Sequence, residues 1–289
     1  MGKQQPPVIL TIAGSDSGAG AGIQADLKAI SATGGYACTV LTAVTAQNTC
    51  GVLDVFPMSS AHVAKQLDAV FTDFSVKAVK TGMLVNAEII KTVAAKLSDY
   101  KPQWLVVDPV LASTSGKTLL EKEAINALKD ILFPLANVVT PNLIEANLLV
   151  GEKEDGYTDD KISELIIRLR DLNTKAVLLK GGHSSNQKKC TDVLILPDKL
   201  KNFSAARVVT PNSHGTGCTL SAALACYLGQ GLALEIAVEK SKCYLTEALK
   251  NSASWQLGKG CGPLGHFFDI YPKRSVFIPQ GHKGAAVKR

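Results

Sequence analysis

The chain has 289 residues, 46% of them hydrophobic, which is enough apolar material for one large α/β domain with a full core. Of its formal net charge of +6, the stretch from Asp269 onward holds five Lys/Arg against one acid. The rest is nearly balanced, which argues against a nucleic-acid-binding face. Seven cysteines are an odd number, with no C-x-x-C pair and no His/Cys cluster at zinc spacing, so a reducing, cytoplasmic setting is expected.

The first residues lack the order of a signal peptide, and no apolar run approaches the ~20 residues of a membrane span. Met1-Gly2 opens like a myristoylation site, but Pro6 stands where Ser or Thr is required. Val8 to Ala13 is a β-branched apolar run that predicts a buried strand, followed by the glycine loop Gly14-Ser15-Asp16-Ser17-Gly18-Ala19-Gly20-Ala21-Gly22 and a helix over Ile23 to Thr33. A dinucleotide fingerprint fails there: Ile23 stands where the third glycine is needed, and no acid follows at ribose-binding distance. These glycines are expected instead to let the backbone approach a small ligand.

A second strand runs from Tyr36 to Ala46 and ends at Gln47-Asn48-Thr49. Ala61 to Phe74 reads as a helix, Val76 to Lys80 as a strand with Thr81-Gly82-Met83 as its exit, and Ala87 to Leu97 as a helix. Trp104 to Val107 is a buried strand ending in Asp108-Pro109, and Leu119 to Leu132 a helix. Asn137 to Thr140 ends in Pro141-Asn142 before a helix carrying Glu145. Ile162 to Leu172 is helical, and Ala176 to Leu179 delivers Lys180-Gly181-Gly182. Strands near 191–196 and 203–209 lead to Ser213-His214-Gly215-Thr216-Gly217-Cys218, which runs into a helix with Leu220, Ala223, Leu224, Tyr227 and Leu228 on one stripe. Gly229 and Gly231 mark its end. This alternation predicts a mostly parallel sheet with helices on both faces and ligands at the strands' carboxyl edge. Ser115-Gly116-Lys117-Thr118 imitates the end of a Walker A loop, but Leu111 replaces the required glycine.

The polar residues at the strand ends are Asp26 (one turn into its helix), Gln47, Asp108, Asn142, Glu145, Lys180 and Cys218. Two acids, an amide, a lysine and a glycine-framed helix start suit Mg-assisted phosphoryl transfer, in which catalysis is mainly positioning and charge stabilisation. Each residue also has a plainer reading. Glu145, three after Asn142, fits a capping pair, Lys180 a snorkelling surface lysine, and Cys218 a buried small thiol.

The segments ILTIAGSDSGAGAGIQADLKAI, TAVTAQNTCGV, TGML, VVDPVL, TPNLIEA, LLKGGH, HGTGCTLSAALA and GKGCGP resemble, in order, the hydroxymethylpyrimidine/phosphomethylpyrimidine kinases of thiamine biosynthesis. The resemblance covers about residues 8–268. It implies a single ribokinase-like domain over 1–268, with the basic tail 269–289 left over. It also implies ATP as co-substrate, Mg²⁺, and a homodimer without nucleic-acid or membrane partners. The reaction implied is phosphorylation of 4-amino-5-hydroxymethyl-2-methylpyrimidine and then of its monophosphate. Carried onto this chain, Gln47 binds the aminopyrimidine edge, Gly14 and Asp26 line the same pocket, and Met83 and Val110 pack on the ring. Cys218 takes the place of a sugar-kinase aspartate base, with its pKa expected to fall at a helix N-terminus, and either abstracts the hydroxyl proton or only positions the hydroxymethyl group. The N–H groups of Gly215, Thr216 and Gly217 form the anion hole. Lys180 neutralises ATP phosphates, while Asn142, Glu145 and Asp108 organise Mg²⁺.

The first loop departs from the family's usual DPSGGAG, with Ala19 in place of a glycine. Three rivals remain. A pyridoxal kinase shares the template but commonly lacks the glutamine, a thiol hydrolase would pair Cys218 with His214, and a nucleotide-binding regulator would not turn over.

Overall fold

The computed structural model describes residues 5–111, 121–152, 157–184 and 186–270. The Ser115–Thr118 decoy and the tail from 271 lie outside the described residues. The chain opens with β1 (Val8–Asp16), α1 (Gly22–Ala32), β2 (Tyr36–Asn48), β3 (Gly51–Pro57), α2 (Ser60–Asp73), β4 (Val76–Thr81), α3 (Ala87–Tyr100) and β5 (Trp104–Val107). A short α4 (Lys122–Ala127) continues through a π turn (Leu128–Leu132) and a 3-10 turn (Phe133–Leu135) into β6 (Val138–Val139). There follow α5 (Leu143–Val150), α6 (Asp159–Leu169), β7 (Val177–Leu179), β8 (Lys189–Ile195), β9 (Leu200–Ala206), α7 (Thr216–Gly229) and α8 (Leu234–Ser252).

Among the described residues the strands form one nine-stranded sheet in the order β3-β2-β1-β4-β5-β6-β7-β8-β9. From β2 to β7 all neighbours are parallel, and β3, β8 and β9 add antiparallel edges. Alternation along β1 explains the two covered faces. Leu10 and Ile12 point into a core shared with α2 and α3, whereas Ile9 points into one shared with α1, α7 and α8. The parallel strands therefore read as near-continuous apolar runs, and their carboxyl ends share one edge. Chain order reverses between β1 and β4, where a doubly wound sheet leaves its crevice.

Helix α7 differs from the amphipathic stripe that its spacing predicts. It is buried nearly all round, with Thr219, Ser221, Ala222, Ala225 and Cys226 sealed along with Leu220, Leu224 and Leu228. The small residues between the leucines let neighbouring elements approach from every side, and each sealed leucine contributes about 1.5–3 kcal/mol. Two elements have no counterpart in the sequence reading. Strand β3 is exposed along most of its length and lacks a buried alternating face. Helix α8 buries Ser241, Lys242 and Ser252 among its core positions, which breaks the apolar stripe.

Candidate active site

A cavity of about 550 Å³ opens at the carboxyl edge of the sheet, within the usual range for small-molecule sites. Gly14, Gln47, Met83, Asp108, Val110, Asn142, Glu145, Lys180, Gly215, Thr216, Gly217 and Cys218 all line it. Asp26 does not, and its expected place in the substrate pocket is corrected. It lies on the buried face of α1, where both carboxylate oxygens accept from Lys80 Nζ at 2.9 and 2.8 Å and Thr11 Oγ1 donates to it. Lys80 projects from β4 and is completely buried. Burial works against its charge, but the Asp26 carboxylate more than offsets this, so the ammonium titrates above the ordinary lysine range.

Asp108, just past β5, Asn142, just past β6, and Lys180, just past β7, meet at the middle of the edge. Lys180 Nζ donates to Asp108 Oδ1 at 2.8 Å and stands 3.9 Å from Glu145 Oε2. Burial opposes the Lys180 charge, yet Asp108 and Glu145 together raise its pKa. Asp108 is held further by Thr140 Oγ1 at 3.3 Å and Ser221 Oγ at 3.2 Å. The expected capping pair is present as well. Asn142 N–H donates to Glu145 Oε2 at 2.8 Å, and Glu145 N–H to Asn142 Oδ1 at 2.9 Å. Burial pushes the Glu145 carboxyl up, Lys180 opposes this, and Asp108 adds to it.

This acid set bears on Mg²⁺. The Glu145 carboxylate already accepts from the N–H groups of Asn142 and Leu111. Among the described residues, no group of three His, Cys, Asp or Glu side chains is placed to hold a metal ion. Glu145, Asp108 and Asn142 would hold a hydrated Mg²⁺ through its waters, and do not form a cage for a bare ion.

Beside them lies the start of α7. Gly215 is the N-cap with φ +85°, and a Cβ there would fall 1.9 Å from Gly20 O. Only glycine lets this loop pack on the first glycine loop. A Cβ at Gly217 would lie 3.1 Å from Lys180 Nζ and 3.4 Å from Asp108 Oδ2, so the bare helix start meets the ammonium directly. The Thr216 N–H is not wholly free for an anion, since it donates to Ser213 O at 3.3 Å.

The Cys218 thiol departs from expectation. It is pushed up to about 11, chiefly by burial; Lys80 and the Gly22 N–H pull the other way, and Asp26 and Asp108 add to the rise. Proximity to a helix start does not outweigh this burial and the two carboxylates beneath the thiol.

The first loop serves the protein more than the ligand. Asp16 accepts from the N–H groups of Gly18 (2.8 Å), Gly20 (3.0 Å) and Ala21 (2.8 Å), and its Oδ2 lies 3.0 Å from His214 Nε2. Burial resists the charge, but His214 and these N–H groups pull Asp16 below the ordinary carboxylate range. A Cβ at Gly20 would come within 2.4 Å of the His214 ring, and one at Gly22 within 2.3 Å of Gly14 O. At Gly20 and Gly22 the missing Cβ makes room for protein atoms, while Gly14 and Gly22 also line the cavity, where the sequence reading expects the ligand. Ala19, the departure from the family pattern, has φ +58°, a region where an L side chain is strained. Val110 on the cavity wall has φ +43°, unusual for a β-branched residue.

Asp16, Thr45 and His214 are cavity residues that the sequence reading did not assign, and Lys80 is a buried support beneath them. Asp16 and His214 sit inside recognised motifs, but nothing in their spacing shows that they meet. His214 Nε2 is committed to Asp16 and to the Gln47 amide, 3.1 Å away, so it is not turned to Cys218 as a hydrolase pair would need of that nitrogen. Beyond Lys180 the cavity continues over Ala205, Val208, Leu220, Leu245 and Leu249, an apolar half that the sequence did not reveal.

The profile of the phosphomethylpyrimidine kinase family matches residues 16–265. A hydroxymethylpyrimidine/phosphomethylpyrimidine kinase of Rhizobium meliloti is 47% identical over 90% of this chain and 97% of its own. A thiamine biosynthesis bifunctional protein of Geobacter sulfurreducens is 46% identical over 89% of this chain, which spans only 52% of that protein. Among solved structures, a phosphomethylpyrimidine kinase of Clostridium difficile is 42% identical with a TM-score of 0.73, covering 84% of this chain and 99% of its own. An ADP complex of Bacillus subtilis pyridoxal kinase is 35% identical with a TM-score of 0.83, covering 90% and 97%. The architecture is thus ribokinase-like, and the chain belongs to the phosphomethylpyrimidine kinase family.

Proposed function

We propose that this chain, a hydroxymethylpyrimidine/phosphomethylpyrimidine kinase by family, transfers the γ-phosphoryl group of ATP to the hydroxymethyl oxygen of 4-amino-5-hydroxymethyl-2-methylpyrimidine and then phosphorylates the monophosphate. The observation that carries the reading is a single cavity with Gln47 in one wall and the Lys180–Gly217–Cys218 cluster in another. An amide offers donor and acceptor together, which matches a ring nitrogen beside an amino group.

Gln47, Gly14, Met83 and Val110 hold the pyrimidine. Lys180 and the α7 start (Gly215, Thr216, Gly217) stabilise charge on the moving phosphoryl, and the apolar half over Leu245 and Leu249 takes the nucleotide base. Mg²⁺, when bound, screens the phosphates, with Asn142, Glu145 and Asp108 reaching it through water. Cys218, protonated near neutral pH, positions the hydroxymethyl group and does not strip its proton. A loose transition state needs little base assistance.

Two further expectations belong to this proposal. A second identical subunit fits the edge strand β3, whose Leu53 and Phe56 are 79% and 67% exposed. A monomer by sedimentation at micromolar concentration would remove it. A reducing, cytoplasmic location fits seven free cysteines, and no helix among the described residues is long and apolar enough to cross a membrane.

The test is ATP consumption with Mg²⁺ in the presence of hydroxymethylpyrimidine, its monophosphate or pyridoxal, with products resolved by mass. Monophosphate followed by pyrophosphate is expected. Turnover of pyridoxal alone would keep the nucleotide site and overturn the assignment of Gln47. Pyridoxal kinase is the second reading, favoured by the closer overlay of the Bacillus subtilis structure.

A further inference from the structure

We propose that His214, braced by Asp16, is a positioning residue that fixes which end of the Gln47 amide faces which way, and so sets the donor–acceptor order that a ligand ring must match. This rests on the reading of Gln47 as the pyrimidine contact.

The argument follows the protons. Asp16 Oδ2 receives the N–H groups of Gly20 and Ala21, and Oδ1 that of Gly18. So many donors on one carboxyl group fit only the anion. An anionic oxygen 3.0 Å from His214 Nε2 requires that nitrogen to carry hydrogen. It then has no lone pair to offer the Gln47 atom 3.1 Å away, which the structure places as the amide Nε2, and an NH₂ group there sets hydrogen against hydrogen; amide oxygen and nitrogen are assigned from the hydrogen bonds around them, and these call for the reverse placement. The amide therefore turns its carbonyl oxygen to His214, whose N–H is shared between Asp16 and Gln47.

The far end of the amide gives the same answer independently. Thr45 Oγ1 lies 3.2 Å from the atom placed as Gln47 Oε1, but its one proton goes to the nearer acceptor, Ser15 O at 2.9 Å. Only a lone pair of Thr45 remains toward Gln47, so the NH₂ group belongs there. An amide has two acceptor and two donor positions. His214 and Thr45 use one of each, leaving one acceptor and one donor for a ligand. The backbone is fixed too: Ser17 Oγ donates to Gln47 O at 2.7 Å and accepts from Gln47 N–H at 2.8 Å. With neither main chain nor amide free to turn, the site presents a fixed order: the carbonyl on the His214 side accepts from an exocyclic amino group, and the NH₂ on the Thr45 side donates to the adjacent ring nitrogen. A ring offering the reverse order, or none, is disfavoured. Gly20 is part of the device, because any Cβ there would press on the His214 ring.

The test joins kinetics to a spectroscopic readout. In the unliganded protein, ¹⁵N chemical shifts of the His214 imidazole are expected to show Nε2 carrying hydrogen. The opposite tautomer would overturn the inference whatever the substrate proves to be. In steady-state assays, His214→Leu is expected to raise the hydroxymethylpyrimidine KM about tenfold while kcat falls much less. Gly20→Ala, which displaces the ring without removing it, should move KM in the same direction. In a Gln47→Leu background the His214 change should add little, because both act through one contact. Additive effects, or a loss confined to kcat, would overturn it. If the wild type turns over pyridoxal but no pyrimidine, the functional reading and the kinetic claim fall together, and the tautomer result still stands as a separate outcome.

Discussion

Two lysine–carboxylate pairs flank Cys218, and they are made of the same chemistry. Lys80 and Asp26 are both fully buried, joined through two contacts and closed off from the cavity. Lys180 and Asp108 are joined by one short contact, with a second acid at 3.9 Å, and the ammonium opens into the cavity beside Gly217. In both, burial disfavours the cation and carboxylates restore it. The first pair has all its charge answered internally and can only brace the fold beneath the site. The second has a cation shared among acids and a face left for a ligand. Geometry around the pair, not the residue types in it, separates support from chemistry.

The comparison breaks most sharply at Lys80. Replacing it with methionine leaves the Asp26 carboxylate buried and unpaired, and loss of one partner of such a pair costs about 3–5 kcal/mol. Lys80→Met is expected to lower the denaturation midpoint accordingly. Adding Asp26→Asn, which keeps an acceptor for Thr11, should recover much of the loss. A single variant as stable as the wild type would show that this pair braces nothing.

The second pair should answer in rate instead. Lys180→Met removes the cation from the phosphoryl site, and loss of one such preorganised group costs about 10²–10³ in turnover. Stability should fall less than for Lys80→Met, because Asp108 keeps the Thr140 and Ser221 hydroxyls and Glu145 keeps the N–H groups of Asn142 and Leu111. Full-rate turnover in Lys180→Met, measured at saturating ATP, would refute the distinction between the pairs.

The same contrast shows what was legible in the amino-acid order. Asp108, Asn142 and Lys180 each follow an apolar run, so a parallel sheet puts them on one edge, and glycines mark the α7 start beside them. Asp26 was misplaced because its distance from the glycine loop does not say which face of α1 it occupies. Its partner Lys80 sits within an apolar strand 54 residues away, and no local pattern announces such a pairing. Asp16 and His214 are 198 residues apart, joined only when the first and last loops stack through Gly20 and Gly215. The thiol of Cys218 was misjudged for a related reason. A helix start is visible in sequence, but the burial that outweighs it, with carboxylates from α1 and from just past β5, is not.

Cys218 stands between the two pairs and gives the finest test. Burial and the two carboxylates push its thiol up to about 11, so the proton is bound throughout about pH 6 to 9. A thiolate base would be a minor species there, rising tenfold with each pH unit, and the rate would rise with it. A thiol that only positions the hydroxymethyl oxygen gives no such limb. Cys218→Ala is therefore expected to lower kcat about tenfold, near the ~1.4 kcal/mol scale of one hydrogen bond. The ATP KM should move less, and the pH–rate profile should keep its shape. A wild-type rate that climbs log-linearly from about pH 7 to 9, and a Cys218→Ala rate that does not, would make the thiolate the base. Unchanged turnover would take Cys218 out of the reaction, leaving it as a packed residue between the sealed pair and the open one.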